Sequence, residues 1–282
     1  MTLVDDLVIE TTPCDQELRT TSTEVDFRLT VLGSGSSGNC SLVSSEDTHL
    51  LIDAGFSGKE VCARLERSGF DPGQLTAILV THEHSDHVKS VHTLSRKFQI
   101  PIFSTNGTFA VALQDRKFYD WHEIESGRSF SLGGMCVHPI SLPHDAADPI
   151  GFRIECGGRI LGHITDFGYP SGLVMESLRG CDTLLIEANH DLEMLKNGPY
   201  PWSLKQRIAS RLGHLSNESM LEMLPEILHD DVRQLVLAHL SDSNNDPRVL
   251  TLQMKRTLRR LGLEKIPFTL ARQNDPTPTY SV

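Results

Sequence analysis

Four residues of metal-ligand type stand within six positions of one another: His82, His84, Asp86 and His87, at the end of the stretch TAILVTHEHSDH that begins at Thr76. An apolar, strand-like run ends at Thr81 and delivers them at its C-terminal end. In extended chain, residues two apart project to the same side, so His82 and His84 face one way. Asp86 and His87 follow where the chain turns into VKSVHTLSRKF, a helix-like segment. Two imidazoles beside a carboxylate and a third imidazole are borderline ligands suited to a pair of zinc-like ions. A single loop histidine is ordinarily just solvated, whereas four ligand-type residues at this spacing point to metal chemistry.

The elements that must hold these residues are legible as short apolar runs. Strand-like segments cover 27–33, 40–45, 49–55, 76–81, 100–105, 135–142, 151–156, 159–165, 182–188, 232–239 and 267–271. Gly157 and Gly158 form a two-residue hairpin turn between two of them. Helix-like segments fall near 58–68, 87–98, 107–114, 172–179, 203–212, 217–229 and 246–261. Asp246 and Pro247 supply an N-cap and a first-turn proline, and Gly213 sits where a helix-ending glycine belongs. The pattern predicts two sheets covered by helices. Gly33, Gly35 and Gly38 match G-x-G-x-x-G, but a second strand follows rather than a helix, so a dinucleotide site is rejected in favour of a glycine-rich hairpin edging an active site.

Composition narrows the class. The 282 residues are 39% hydrophobic and 22% charged, which fits a globular chain, and no apolar run approaches the roughly 20 residues of a membrane helix. The N-terminus carries acids where a secretory signal carries bases, so a cytoplasmic location is expected and a membrane is not. The six cysteines are widely spaced without a C-x-x-C pair, which predicts neither a disulfide framework nor a structural zinc site. The formal charge is −11, but residues 1–26 hold seven acids against Arg19, which leaves −5 on the rest. Bound divalent cations bring that body near neutrality, so a polyanionic substrate is not excluded. Residues 1–26 read as an acidic flexible N-terminal tail, and 27–282 as a single metallohydrolase domain.

THEHSDH carries the H-x-H-x-D-H signature and resembles the metallo-β-lactamase superfamily, with LIDAG before it and later motifs in order from about Phe27 to Ala271. The resemblance implies an α/β fold, a four-layer αββα sandwich with a two-metal site between the sheet edges. It implies that His82, His84 and His144 (of SLPHDAADP) bind one divalent ion, zinc or manganese. Asp86, His87 and His239 (of LVLAHLS) bind the other, with Asp166 (of ITDFG) bridging. Asp166 stands where a β-lactamase carries Cys, and LPHDA replaces the motif of glyoxalase-like thioesterases. No room exists for a β-CASP domain, and the 22 positions from His144 to Asp166 leave none for the ribonuclease Z arm.

GHLSN and IEANHD resemble the phosphate-contacting histidine motif of ribonuclease Z and its glutamate-containing partner, and with LGSGSSGNC and LAHLSDSNND the chain is similar to the WalJ/YycJ-type branch. That resemblance implies a 5′ to 3′ exonuclease acting on DNA through a metal-bridging hydroxide. Asp86, His214 and Glu187 are then the catalytic candidates. Ser34, Ser36, Ser37, Gly38 and Asn39 offer backbone amides for a phosphate, or merely close a tight hairpin; Ser216 and Asn217 cap a helix beside His214. The segment 246–265 carries a net +4 opposite an apolar stripe, which a solvated helix face or a nucleic-acid contact both explain. Two rivals share the ligands: a small-molecule cyclic phosphodiesterase, and a weakly catalytic binding or regulatory module. Oligomeric state is not encoded in any motif.

Overall fold

The computed structural model describes Ile9–Glu10 and residues 26–282. The remainder of the predicted acidic tail lies outside the described residues. Two mixed sheets are present. The first runs β1 (Ile9–Glu10), β8 (Phe130–Leu132), β9 (Met135–Ser141), β10 (Ile150–Cys156), β11 (Arg159–Ile164), β12 (Thr183–Glu187), β13 (Gln234–Ala238) and β14 (Phe268–Leu270). The second runs β15 (Tyr280–Ser281), β2 (Arg28–Gly33), β3 (Cys40–Ser44), β4 (His49–Ile52), β5 (Ala77–Leu79), β6 (Pro101–Ser104) and β7 (Asp120–Glu123).

The burial pattern explains the layers. One apolar cluster, with Phe27, Val31, Leu79, Phe152, Leu185 and Val236, fills the space between the sheets. A second packs the outer face of the first sheet against α5 (Gly172–Leu178), α8 (Asn217–Ile227) and α9 (Pro247–Leu261). A third packs the second sheet against α1 (Gly58–Arg67) and α3 (Val91–Phe98). Strands buried on both faces read as continuous apolar runs rather than alternating ones, as LVLA and LLI do here. The result is the four-layer αββα sandwich expected from the sequence.

Parallel pairing places the site. β4, β5, β6 and β7 are mutually parallel in one sheet, and β11, β12, β13 and β14 in the other. Their C-terminal ends deliver Asp53, the His82 stretch, Asp166, Glu187 and His239 to one edge of the sandwich. The predicted hairpin at Gly157 and Gly158 forms with φ of 55° and 76°, and the glycine-rich segment is the β2–β3 turn rather than a nucleotide loop. Asp246 caps α9, and Gly262 ends it at φ 72°.

Some elements differ from expectation. The helix predicted over 87–98 is broken into α2 (Ser85–Val88) and α3, because the loop after β4 docks there: Ala54 N donates to His87 O at 2.7 Å and Ser90 N to Ala54 O at 2.9 Å. β7, β8, β15 and α6 (Leu192–Asn197) lack a sequence pattern strong enough to predict them. The helix α7 (Trp202–Ile208) stops short of 212, since the chain folds back and Gly213 lies against the α7 carbonyls. Four cysteines, Cys40, Cys62, Cys156 and Cys181, are free thiols.

Close backbone contact at Gly55 packs the loop after β4 against the metal-ligand loop at Asp86. A Cβ there would stand 1.6 Å from Asp86 O, whereas one at Gly172, in the first turn of α5, meets nothing within 4 Å. Gly55→Ala should therefore destabilise the protein by about 1–3 kcal/mol through forced backbone shifts. Gly172→Ala should be neutral or slightly stabilising. Urea unfolding of both variants checks this, and equal midpoints would contradict it.

Candidate metal centre

Three imidazole nitrogens meet at the first position. His82 Nε2 lies 3.0 Å from His84 Nδ1, and His144 Nε2 lies 3.3 Å from the same atom. The other nitrogens of His82 and His144 are tied back. The Thr81 hydroxyl donates to Asp53 Oδ2 at 2.8 Å and so accepts from His82 Nδ1 at 2.9 Å, while His144 Nδ1 donates to Gly213 O at 3.0 Å. Each bond fixes a tautomer with its lone pair facing inward. Burial, then the adjacent His87, His144 and His84, push the pKa of His82 well below its usual value, so it stays neutral and able to ligate.

The second position is richer in carboxylate. Asp86 Oδ2 lies 3.5 Å from His87 Nε2 and 3.6 Å from His239 Nε2. Asp166 Oδ2 lies 3.4 Å from His87 Nε2, and Asp166 belongs both to a group with His82 and His87 and to one with Glu187, His214 and His239. Sequence reasoning missed Asp53, whose Oδ2 accepts from His87 Nδ1 at 2.7 Å. Its signal was present: an acid directly after the apolar strand β4. Burial disfavours charge on His239, but Asp166, Asp86 and Glu187 outweigh it and raise its pKa to about 10. Burial likewise works against the Asp86 anion, yet the facing His239 and His87 imidazoles hold its pKa far below the usual range.

The residues fit divalent cations. Buried Asp166 Oδ2 and His239 Nε2 have no hydrogen-bond partner, and both belong to the groups whose ligand atoms lie within 4.8 Å of one another. Unmatched buried polar atoms are costly, and a bound cation would satisfy them, displacing the Nε2 proton of His239. The backbone is strained here too. Asp53, Asp166 and His239, three of the four described non-glycine residues with positive φ, adopt values of 57° to 62°.

The catalytic candidates sit around this cluster. His214, 23% exposed, holds Nδ1 2.8 Å from Glu187 Oε1, and faces a cavity of about 330 Å³ shared with Asp86, Asp166 and His239. Glu187 is fully buried. Its Oε1 also receives His239 Nδ1 at 2.9 Å, and its Oε2 accepts Phe167 N and Leu215 N at 3.0 and 3.2 Å. Glu187 thus orients two histidines. Burial lowers the His214 pKa, but Glu187 more than offsets it and carries the imidazole above its ordinary value.

The glycine-rich turn edges the cavity through Ser36, yet its amides are mostly committed. Gly35 N donates to Asn39 Oδ1, Ser37 N to Gln273 Oε1, Gly38 N to Gly35 O, Ser34 N to Arg272 O and Asn39 N to Asp86 O. The tight-hairpin reading fits better than a phosphate cradle: Asn39 pins the turn to the ligand loop, and Ser34 Oγ accepts from His239 N at 2.9 Å. Ser216 caps α8, and buried Asn217 bonds Asn245 at 3.0 Å, so both lie away from the cavity and dock the His214 loop instead. Tyr200, Leu204 and Arg207, which no motif marked, form part of the cavity wall, with Arg207 paired to Asp145.

Asp53→Asn should weaken divalent-metal affinity about 10- to 100-fold, since an amide holds the His87 tautomer less firmly than a carboxylate. Titration of apo-protein with zinc against a chelator checks this; unchanged affinity would remove the orienting role of Asp53.

Comparison with known proteins identifies the family and the fold. The Beta-lactamase superfamily domain model matches residues 48–240. The chain is 35% identical over 243 residues to exodeoxyribonuclease YycJ of Bacillus anthracis, covering 84% of this chain and 90% of the relative. It is 36% identical over 246 residues to exodeoxyribonuclease WalJ of Streptococcus pneumoniae, covering 85% and 91%. Among solved structures, the metallo-β-lactamase fold protein YhfI of Bacillus subtilis superimposes with a TM-score of 0.69 at 16% identity, covering 89% of this chain and 99% of that one. Human tRNase Z, short form, gives 0.61 at 18%, covering 89% and 98%. The family model, the relatives and the sandwich agree: the chain belongs to the β-lactamase superfamily, as a metallo-β-lactamase-fold hydrolase of the YycJ and WalJ branch.

Proposed function

We propose that this protein is a dinuclear metal-dependent phosphodiesterase that removes nucleotides from the 5′ ends of DNA. The observation that carries the reading is the convergence of His82, His84 and His144 beside Asp86, His87 and His239, with Asp166 common to adjoining ligand groups. The relatives that span about nine-tenths of their own length against this chain are named exodeoxyribonucleases. Two divalent ions, zinc or manganese, supply Lewis acidity that polarises a phosphoryl oxygen and makes water acidic near neutral pH.

The chain's own groups do the rest. Burial keeps His82 and His144 neutral, with Nε2 of each facing His84 Nδ1, while Asp86 and Asp166 bring the negative charge that a second cation needs. Glu187 Oε1 engages Nδ1 of His214, leaving Nε2 for the substrate, where it contacts a nonbridging phosphate oxygen or delivers a proton to the leaving oxygen. Glu187 is a positioning residue, since no part of it reaches the cavity. The walls around Asp145 and Arg207 leave an open cavity that admits a polymer end, in keeping with an exonuclease.

Wild-type protein loaded with zinc or manganese should hold two ions per chain, and Asp86→Ala or His87→Ala about one, by elemental analysis of folded protein. Fewer than one ion in the wild type would refute the dinuclear site. His214→Ala should keep both ions and its melting temperature while kcat falls about 10²- to 10⁴-fold. Unchanged turnover with a lower melting temperature would make His214 structural. Linear duplexes with 5′-phosphates should release nucleotides stepwise, and covalently closed circles should resist; rapid cutting of circles, or activity confined to small cyclic phosphodiesters, would overturn the exonuclease reading.

A further inference from the structure

A second concavity lies on the outer side of the first sheet. It is a groove of about 930 Å³ between α9 and the edge strand β14. Arg248, Lys255 and Arg272 line it, and no acidic side chain among the described residues does. This stands out on a chain of net charge −11. Arg248 is shared with Asp246 at 2.8 Å, but Lys255 and Arg272 have no ion pair among the described residues, and both are exposed. The floor is apolar: Phe268 and Leu270 are half-buried on β14, and Leu252 is 56% exposed on α9.

The groove and the catalytic cavity draw on one stretch of chain: Leu240 lines the groove, while His239 before it and Ser241 after it line the cavity. On the other side Arg272 lines the groove while its carbonyl accepts from Ser34 N at 3.0 Å, and Gln273 Oε1 accepts from Ser37 N at 2.8 Å, which fixes that end against the turn carrying Ser36. β14 is parallel to β13, so Arg272, past its C-terminal end, lies at the same sheet edge as His239. α9 begins at that edge with Arg248 and leads away from it, placing Lys255 about 10 Å farther along the groove at 1.5 Å per residue.

We infer that this groove is the track for the single DNA strand whose 5′ end occupies the metal centre, with Lys255 and Arg272 holding successive phosphates and Phe268 and Leu252 supporting bases. The inference rests on the exonuclease reading above. Cations spaced along an apolar, partly aromatic floor are what a single strand requires: charge for the backbone and apolar surface for the base faces. The shared sheet edge of Arg272 and His239 favours a substrate strand over a separate protein partner, which would not need to reach the metal ligands.

Lys255→Ala/Arg272→Ala tests this in the metal-loaded full chain, with single-stranded oligodeoxynucleotides from 2 to about 20 nucleotides long. The double variant should bind the longest strand about tenfold more weakly, with a deficit that grows with length. The slope of log affinity against log salt should shrink by about 1.4, about 0.7 for each lost single-strand phosphate contact. Wild-type affinity and salt slope in the double variant would overturn the track while leaving the exonuclease intact, and would assign the cationic groove to an acidic protein partner instead. Wild-type protein that neither binds nor shortens DNA would remove the exonuclease reading itself, and the track with it.

Discussion

Everything at the active edge follows from burying carboxylates among imidazoles without filling all of their valences. Asp53, Asp166 and Glu187 are each at most 2% exposed, and His87 and His239 are equally inaccessible. Such a cluster is tolerable only if every charge is compensated and every lone pair is met. Hydrogen bonds satisfy its outer layer: Asp53 with His87 and Thr81, Glu187 with His214, His239 and two backbone amides. Its inner atoms, Asp166 Oδ2 and His239 Nε2, remain unmatched by protein. The protein thereby sacrifices stability at the edge to keep a binding site for cations preorganised.

That arrangement explains the local backbone. A residue at the end of a parallel strand that faces this centre turns sharply out of the sheet, and Asp53, Asp166 and His239 each do so at positive φ. Such conformations persist where surrounding contacts over-determine them. Here the apolar layers on both faces of each sheet provide that support, and the Gly55 approach to Asp86 clamps the β4 loop to the ligand loop. The break between α2 and α3 has the same origin, because the helix yields to hydrogen bonds that aim His87 inward.

The glycine-rich turn illustrates how similar patterns serve different ends. Spacing alone allows its amides to cradle a phosphate, but the fold spends five of them on Asn39, Gln273, Gly35, Arg272 and Asp86. Its contribution is mechanical: Asn39 Nδ2 approaches His87 Nε2 at 3.1 Å, and Ser34 supports His239. Ser216 and Asn217 are diverted in the same way, from a suspected substrate contact to anchoring the loop that presents His214.

Local chemistry in the chain determined the ligand types, the order in which they occur and most of the strands that carry them. Four ligands compressed between His82 and His87 announce a metal site because few other roles need them so close together, and buried parallel strands leave apolar runs that are easy to read. Residues such as Asp53, Thr81 and Gly213 carry no such mark, since they act on a ligand far away in sequence: Asp53 on His87 across 34 positions, Gly213 on His144 across 69. Short edge strands like β7 and β15 are equally silent, as their pairing comes from neighbours rather than from their own pattern. Only the tertiary structure decided which amides stay free, which histidine faces the cavity and that α9 meets β14 in a cationic groove. Those outcomes depend on distances between segments that packing fixes and that no local spacing encodes.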